Sequence, residues 1–259
     1  MLSIPEGTRL IPGAEPIRID PPGAKEAFLL LHGFTGMTNE LAIPARVLSE
    51  AGFAVYAPRY PGHGTCRADF LSTRAEDWLR RAVDAYLELR SQYGSVSVLG
   101  HSMGGLIATS IAASFGAPRL VLFAPAFAST NRSLAWAPLF APFLPVVKKG
   151  RAPSAQLGPE RRRRFEEYSS DDLVLPASQL RRLQLLARGL LPRVESKILV
   201  VQGGKDESVP PSVAEWVAHN AAKAASVDLE YLPEADHVFP FARDASKAAE
   251  ILKDWVARN

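Results

Sequence analysis

A mainly parallel β-sheet flanked by helices is the fold class that the sequence predicts, and two observations predict it. Short, unbroken apolar runs recur along the chain without polar alternation, the pattern of strands covered on both faces. Between them lie longer stretches with helical periodicity, several closed by a glycine just past the last apolar position. Strands and helices in alternation give parallel pairing through right-handed crossovers.

The expected strands are "AFLLL" (Ala27 to Leu31), "FAVYA" (Phe53 to Ala57), "VSVL" (Val96 to Leu99), "LVLFA" (Leu120 to Ala124) and "KILVV" (Lys197 to Val201). A more amphipathic last strand is "VDLEYL" (Val227 to Leu232). Helices are expected over Pro44 to Ala51, Ala75 to Tyr93, Met103 to Phe115, Pro211 to Ala225 and Asp244 to Ala257. From about Ser129 to Arg193 the rhythm breaks: the segment is Pro-rich, then helical and Arg-rich, with no strand pattern. It carries 12 Lys/Arg against 5 Asp/Glu, a balance of +7 that leaves −4 on the rest of the chain. The expected organisation is a core of residues 1–128 and 194–259 with a helical cap subdomain of residues 129–193.

Composition narrows the function classes. With 47% hydrophobic and 22% charged residues, the 259-residue chain has the make-up of a soluble globular protein. A net charge of +3, with no basic helix interleaved with aromatics, argues against a nucleic-acid partner. The single cysteine, Cys66, has no internal partner for a disulfide, and no metal-ligand spacing occurs. "MLSIPEGTRLIPGAEP" has neither a basic start nor an apolar core, so a signal peptide is not expected. The most lipophilic stretch, "LAWAPLFAPFLPVV" (Leu134 to Val147), is too short to span a bilayer and contains three prolines. These features lead to the expectation of a cytoplasmic protein without an integral membrane segment. A monomer and a homodimer fit the sequence equally well.

The chemistry centres on "VLGHSMGGLIA", where Ser102 stands between Gly100 and Gly104. A strand precedes it and a helix follows, the setting in which a sharp turn holds a serine hydroxyl exposed at the carboxyl edge of a sheet. A serine hydroxyl needs a base. His32, His63 and His101 precede the serine in turns that they can shape, and His219 lies within a helical pattern. His237, in "PEADHVFPF", follows the last strand and can reach the sheet's carboxyl edge.

The imidazole in turn needs an acid. Asp206 lies in the loop directly after the strand Lys197 to Val201, whereas Glu207 is one position out of register and Asp236 adjoins its own histidine. The expected order is Ser102, Asp206, His237. Developing negative charge on a substrate oxygen requires amide donors. The N–H of Met103 is one, and the N–H of Phe34 in "HGFTG" is the expected second.

"LLLHGFTG", "APRYPGHGT", "LGHSMGG", "GGKDESVP" and "ADH" occur in the order and spacing of the α/β-hydrolase superfamily, and the chain resembles its bacterial carboxylesterase and monoacylglycerol lipase branch. The resemblance runs from about Ile11 to Asn259. It implies an α/β-hydrolase fold with a helical cap inserted after the sixth strand. It puts Ser102, Asp206 and His237 at the triad positions and Phe34 and Met103 at the oxyanion positions, with no cofactor and no metal. It implies hydrolysis of short- to medium-chain esters or monoacylglycerols through an acyl-enzyme. Serine at position 102 excludes the dehalogenase and epoxide hydrolase chemistry, which needs Asp there, and the dienelactone type, which needs Cys.

Within the cap, Trp136, Phe140 and Phe143 are expected to line an acyl pocket. The run Arg161 to Phe165, "RRRRF", is expected to form a solvated helix face, with approach to an anionic lipid surface as the other reading. Two alternatives to an esterase remain. An aminopeptidase-like hydrolase would use cap carboxylates (Glu160, Glu166, Glu167, Asp171, Asp172) to hold an amino terminus, and a non-catalytic ligand-binding relative would keep the fold without turnover.

Overall fold

The structure is a computed structural model that describes residues 4–6, 8–154 and 158–259. The amino-terminal stretch read for a leader therefore lies partly outside the described residues. The chain runs β1 (Ile17–Ile19), β2 (Glu26–Leu31), α1 (Ala42–Glu50), β3 (Ala54–Ala57), α2 (Arg67–Ser72), α3 (Ala75–Arg90), β4 (Ser95–His101), α4 (Met103–Phe115) and β5 (Arg119–Phe123). It continues through α5 (Ala137–Phe140), α6 (Pro159–Tyr168), α7 (Val174–Leu190), β6 (Lys197–Gly203), α8 (Val213–Asn220), β7 (Ser226–Leu232) and α9 (Ala245–Arg258). The seven strands form one sheet in the order β1-β3-β2-β4-β5-β6-β7. All pairs are parallel except β1 with β3.

The apolar runs of the central strands are explained by two cores, one on each face. Along β2, Ala27, Leu29 and Leu31 enter one core while Phe28 and Leu30 enter the other. The same division separates Leu120 and Leu122 from Val121 and Phe123 in β5, and Ile198 and Val200 from Leu199 and Val201 in β6. Because successive side chains point to opposite faces, a strand covered on both sides has no polar position. Residues from α3, α4, α7 and α8 fill the first core, and residues from α1 and α9 fill the second.

Three expectations change. Strand β1 is absent from the sequence reading because "IRI" is a three-residue edge strand with no apolar run. Helix α2 is likewise new, a short turn that buries Phe70. The helical insertion follows β5, the fifth described strand, and not the sixth. Among the described residues, no helix is long and apolar enough to cross a membrane.

Candidate active site

Ser102 joins β4 to α4 with φ +54° and ψ −117°, a left-handed backbone that a non-glycine residue adopts only at a cost. Its N–H donates to Phe123 O (2.9 Å), and its carbonyl accepts from Gly105 and Ala126 N–H (3.0 and 3.1 Å). The turn is so tight that a Cβ on Gly104 would lie 2.0 Å from Leu31 O, and one on Gly100 2.2 Å from Gly104 O. The flanking glycines of the motif are thus steric requirements of this turn.

The two residues expected beside the serine come together with it. His237 Nε2 lies 3.0 Å from Ser102 Oγ, and His237 Nδ1 lies 2.7 Å from Asp206 Oδ2. Asp206 has a fully buried side chain, and its other oxygen accepts the N–H groups of Ser208 and Val209, both at 2.8 Å. Burial alone would raise the Asp206 pKa, but the hydrogen bond from His237 and these backbone donors outweigh it and hold the carboxyl below its ordinary value. Gln202 Nε2 adds a further bond to Asp206 (3.1 Å). Both rival carboxylates, Glu207 and Asp236, are exposed, and Asp236 caps the N–H of Val238 instead.

Phe34 borders the cavity at Ser102, while Met103 begins α4 with its side chain fully buried. Among the described residues neither backbone N–H has a protein acceptor. Met103 N–H stands at the positive end of the α4 dipole.

The remaining histidines shape this site from behind. His32 bonds to Gly33 O (3.0 Å) and accepts from Tyr60 N–H (3.4 Å), and His63 bonds to Pro61 O (3.1 Å). His101 bonds to the carbonyl of His237 (3.0 Å), so the residue beside Ser102 holds the loop that carries His237. That role has no local signal in "GHS". His219 is exposed on α8.

The cavity around Ser102 measures about 330 Å³, with an apolar wall of Ala126, Ala128, Leu134, Leu180 and Val209. A larger cleft of about 730 Å³ opens beside it, and the two share Glu40, Arg164, Val238 and Phe241. The expected acyl-pocket residues are elsewhere: Trp136, Phe140 and Phe143 are 62%, 52% and 86% exposed and do not line the cavity. The reason is the phase of α5. Ala137 and Ala141, four residues apart, form its buried face, which turns Trp136 and Phe140 outward. Of the Pro-rich stretch only Leu134 reaches the cavity.

The Arg run departs from a wholly solvated face as well. Arg162 is exposed, but Arg164 pairs with the buried Glu40 and lines the cavity. Neither residue was expected at the site. Three of the cap carboxylates that an aminopeptidase-like reading requires are occupied: Arg67 engages Glu167 and Asp171, and Arg151 engages Asp172, while the Glu160 side chain lies outside the described residues. Neither these three nor Glu166 lines the cavity.

Comparison with known proteins agrees with this architecture. Residues 28–251 match the alpha/beta hydrolase family. The chain belongs to that family. It is 27% identical over 227 residues to a carboxylesterase of Bacillus subtilis (strain 168), covering 86% of this chain and 88% of that protein. It is also 27% identical over 264 aligned positions to a thermostable monoacylglycerol lipase of Bacillus sp. (strain H-257), covering 96% and 97%. A solved structure of the metagenome-derived lipolytic enzymes LipS and LipT matches with TM-score 0.82 at 25% identity, over 97% of this chain and 100% of that one. The monoacylglycerol lipase of Paleococcus ferrophilus shares the fold at TM-score 0.72 and 19% identity, over 93% and 96%.

The buried histidines of this hydrolase generate a stability prediction. Burial lowers the pKa of His63 and of His101 from 6.5 to about 3 and puts His32 well below its ordinary value, with neighbouring positive charge adding to the effect. An unfolded chain takes up protons on these groups below pH 6.5 while the folded chain does not, so stability falls as pH drops from about 6.5 toward 3. Each histidine contributes a slope of about 1 kcal/mol per pH unit in that window. Calorimetric Tm values should therefore fall steadily between pH 6.5 and 4.5. A Tm that stays level or rises there would contradict the assignment of neutral buried imidazoles.

Proposed function

We propose that the protein is a serine ester hydrolase acting on uncharged esters of short or medium acyl chain, monoacylglycerols included. The observation that carries the reading is the hydrogen-bonded line from Ser102 Oγ through His237 to Asp206, at 3.0 and 2.7 Å. Residues 129–193 act as a cap in this reading, since Leu134, Arg164, Leu180 and Gln184 from that insertion border the same cavity as the nucleophile. The carboxylesterase and monoacylglycerol lipase activities of the two Bacillus relatives support the same reaction class.

In the proposed mechanism, Ser102 Oγ attacks the ester carbonyl carbon as His237 Nε2 takes its proton. Asp206 keeps the imidazole in the tautomer with Nδ1–H and stabilises the imidazolium. The carbonyl oxygen becomes an oxyanion held by the N–H groups of Phe34 and Met103. Collapse breaks the bond to the alcohol oxygen, which receives the proton from His237 and leaves an acyl group on Ser102. Water, deprotonated by His237, then repeats the sequence and releases the acid.

The test is a set of variants assayed on p-nitrophenyl butyrate. Ser102→Ala should retain the fold and lose at least about 10³-fold in kcat. His237→Ala should be nearly inactive, and Asp206→Asn should lose on the order of 10²-fold or more because the imidazole loses its orienting acceptor. Glu207→Gln and Asp236→Asn should stay close to the parent. A crippled Glu207→Gln or Asp236→Asn beside a silent Asp206→Asn would move the acid, and an active Ser102→Ala would remove the mechanism.

Acyl selectivity should follow the apolar wall of the cavity. Each buried methylene contributes about 0.8 kcal/mol, close to fourfold in kcat/KM. Leu180→Ala, which enlarges the wall, should raise kcat/KM on longer acyl chains relative to butyrate in a p-nitrophenyl ester series. Phe143→Ala, at an exposed position, should leave the profile unchanged. The opposite pattern would return the acyl pocket to the Pro-rich stretch.

A further inference from the structure

Helix α6 comes from the insertion yet reaches into the core beside the nucleophile. Arg164, with its side chain 30% exposed, donates from Nε to Thr35 O (3.3 Å) and from Nη2 to the carboxylate of Glu40. Glu40 is buried in the 3-10 turn Thr38–Leu41 that leads into α1, with a side chain 5% exposed. Both residues border the cavity that holds Ser102 and His237.

The acceptor on the core side is the turn that carries Phe34. Gly36 N–H donates to Gly33 O (3.0 Å), which closes the turn, and Thr35 within it has φ +56°. That left-handed conformation is unfavourable for a β-branched residue, so the turn holds its shape through what surrounds it. The Glu40 carboxylate lies close against it: a Cβ on Gly36 would fall 2.4 Å from Glu40 Oε2. Arg164 holds the adjoining residue through the Thr35 carbonyl. Removing the guanidinium would release that carbonyl and strip the buried carboxylate of its counter-ion, an expensive state in a low-dielectric site. Burial already pushes the Glu40 pKa upward, and the Arg164 charge is the largest influence opposing it.

We propose that Arg164 is a positioning residue for hydrolysis, which through Thr35 O and Glu40 holds the turn Gly33 to Gly36 so that Phe34 N–H faces the developing oxyanion. The proposal rests on the reading of Ser102 as nucleophile. It makes the inserted helix a part of the hydrolytic apparatus as well as a wall of the substrate cavity. Arg164 acts before any substrate contact is made, so its removal should affect transition-state stabilisation more than ground-state binding.

The experiment measures kcat and KM on p-nitrophenyl acetate, together with inhibition by butylboronic acid. The boronate forms a tetrahedral adduct whose oxygen takes the oxyanion position. Arg164→Met should lower kcat by about 10- to 100-fold with KM within about threefold, and should weaken boronate inhibition by a similar factor. Arg164→Lys should recover part of both, since an ammonium reaches one acceptor but does not span the two. Arg163→Met is the control, because Arg163 lies on the same helix and bonds to Arg9 O, away from the turn. It should leave both readouts unchanged.

Three results would overturn the proposal: an Arg164→Met kcat within twofold of the parent, a rise in KM with kcat and boronate affinity intact, or an equal loss in Arg163→Met. If Arg164→Met fails to fold, Arg164→Lys decides, and parental kcat and boronate affinity in that variant would overturn it. Absence of both ester turnover and boronate binding in the unmodified protein would instead overturn the serine-hydrolase reading itself.

Discussion

The backbone of Ser102 is held at φ +54° by its surroundings, and much of the site is arranged around that one residue. The turn requires that helix α4 start immediately, which in turn requires no side chain at Gly100 or Gly104, where the backbone approaches to near contact. The N–H and C=O of Ser102 are tied to Phe123 of β5, to Gly105 of α4 and to Ala126 in the loop after β5. A serine in a relaxed loop would have a mobile hydroxyl. Here its Oγ lies 3.0 Å from an imidazole nitrogen.

The rest of the site follows from strand direction. Strands β4, β6 and β7 are parallel, so Ser102, Asp206 and the loop with His237 all emerge at the same edge of the sheet. Parallel pairing brings together residues 135 and 31 positions apart along the chain without any local contact between them. Two further bonds limit the freedom of this arrangement. His101 holds the carbonyl of His237, and Gln202 holds Asp206 from within β6. Both supports come from residues at strand ends, where backbone position is well determined.

What the sequence made legible depended on whether the signal was local. Strands β2, β5 and β6 were readable because two cores leave them no polar position, and "GHSMGG" was readable because the serine and the two glycines that its turn requires lie within five residues. Asp206 and His237 were found from their places after two strands. The edge strand β1 offered three residues and no pattern, and it was missed. The exposure of Trp136, Phe140 and Phe143 depends on which face α5 presents to α7, a choice settled by Ala137 and Ala141 and not by the aromatic content of the stretch. The Glu40–Arg164 pair spans 124 positions, and nothing near either residue signals the other. An arginine among four looks like a solvated face until the helix carrying it is docked.

The insertion and the core thus meet at the cavity beside Ser102 through a charged pair as well as through apolar contact. The proposed hydrolysis requires that Ser102 Oγ be the nucleophile. The most direct measurement is peptide mass spectrometry after reaction of the native protein with a fluorophosphonate, which modifies only an activated serine hydroxyl. The account predicts stoichiometric modification confined to the peptide containing Ser102 and lost when the protein is first unfolded. Modification at another serine, or none under conditions in which p-nitrophenyl butyrate is hydrolysed, would contradict it.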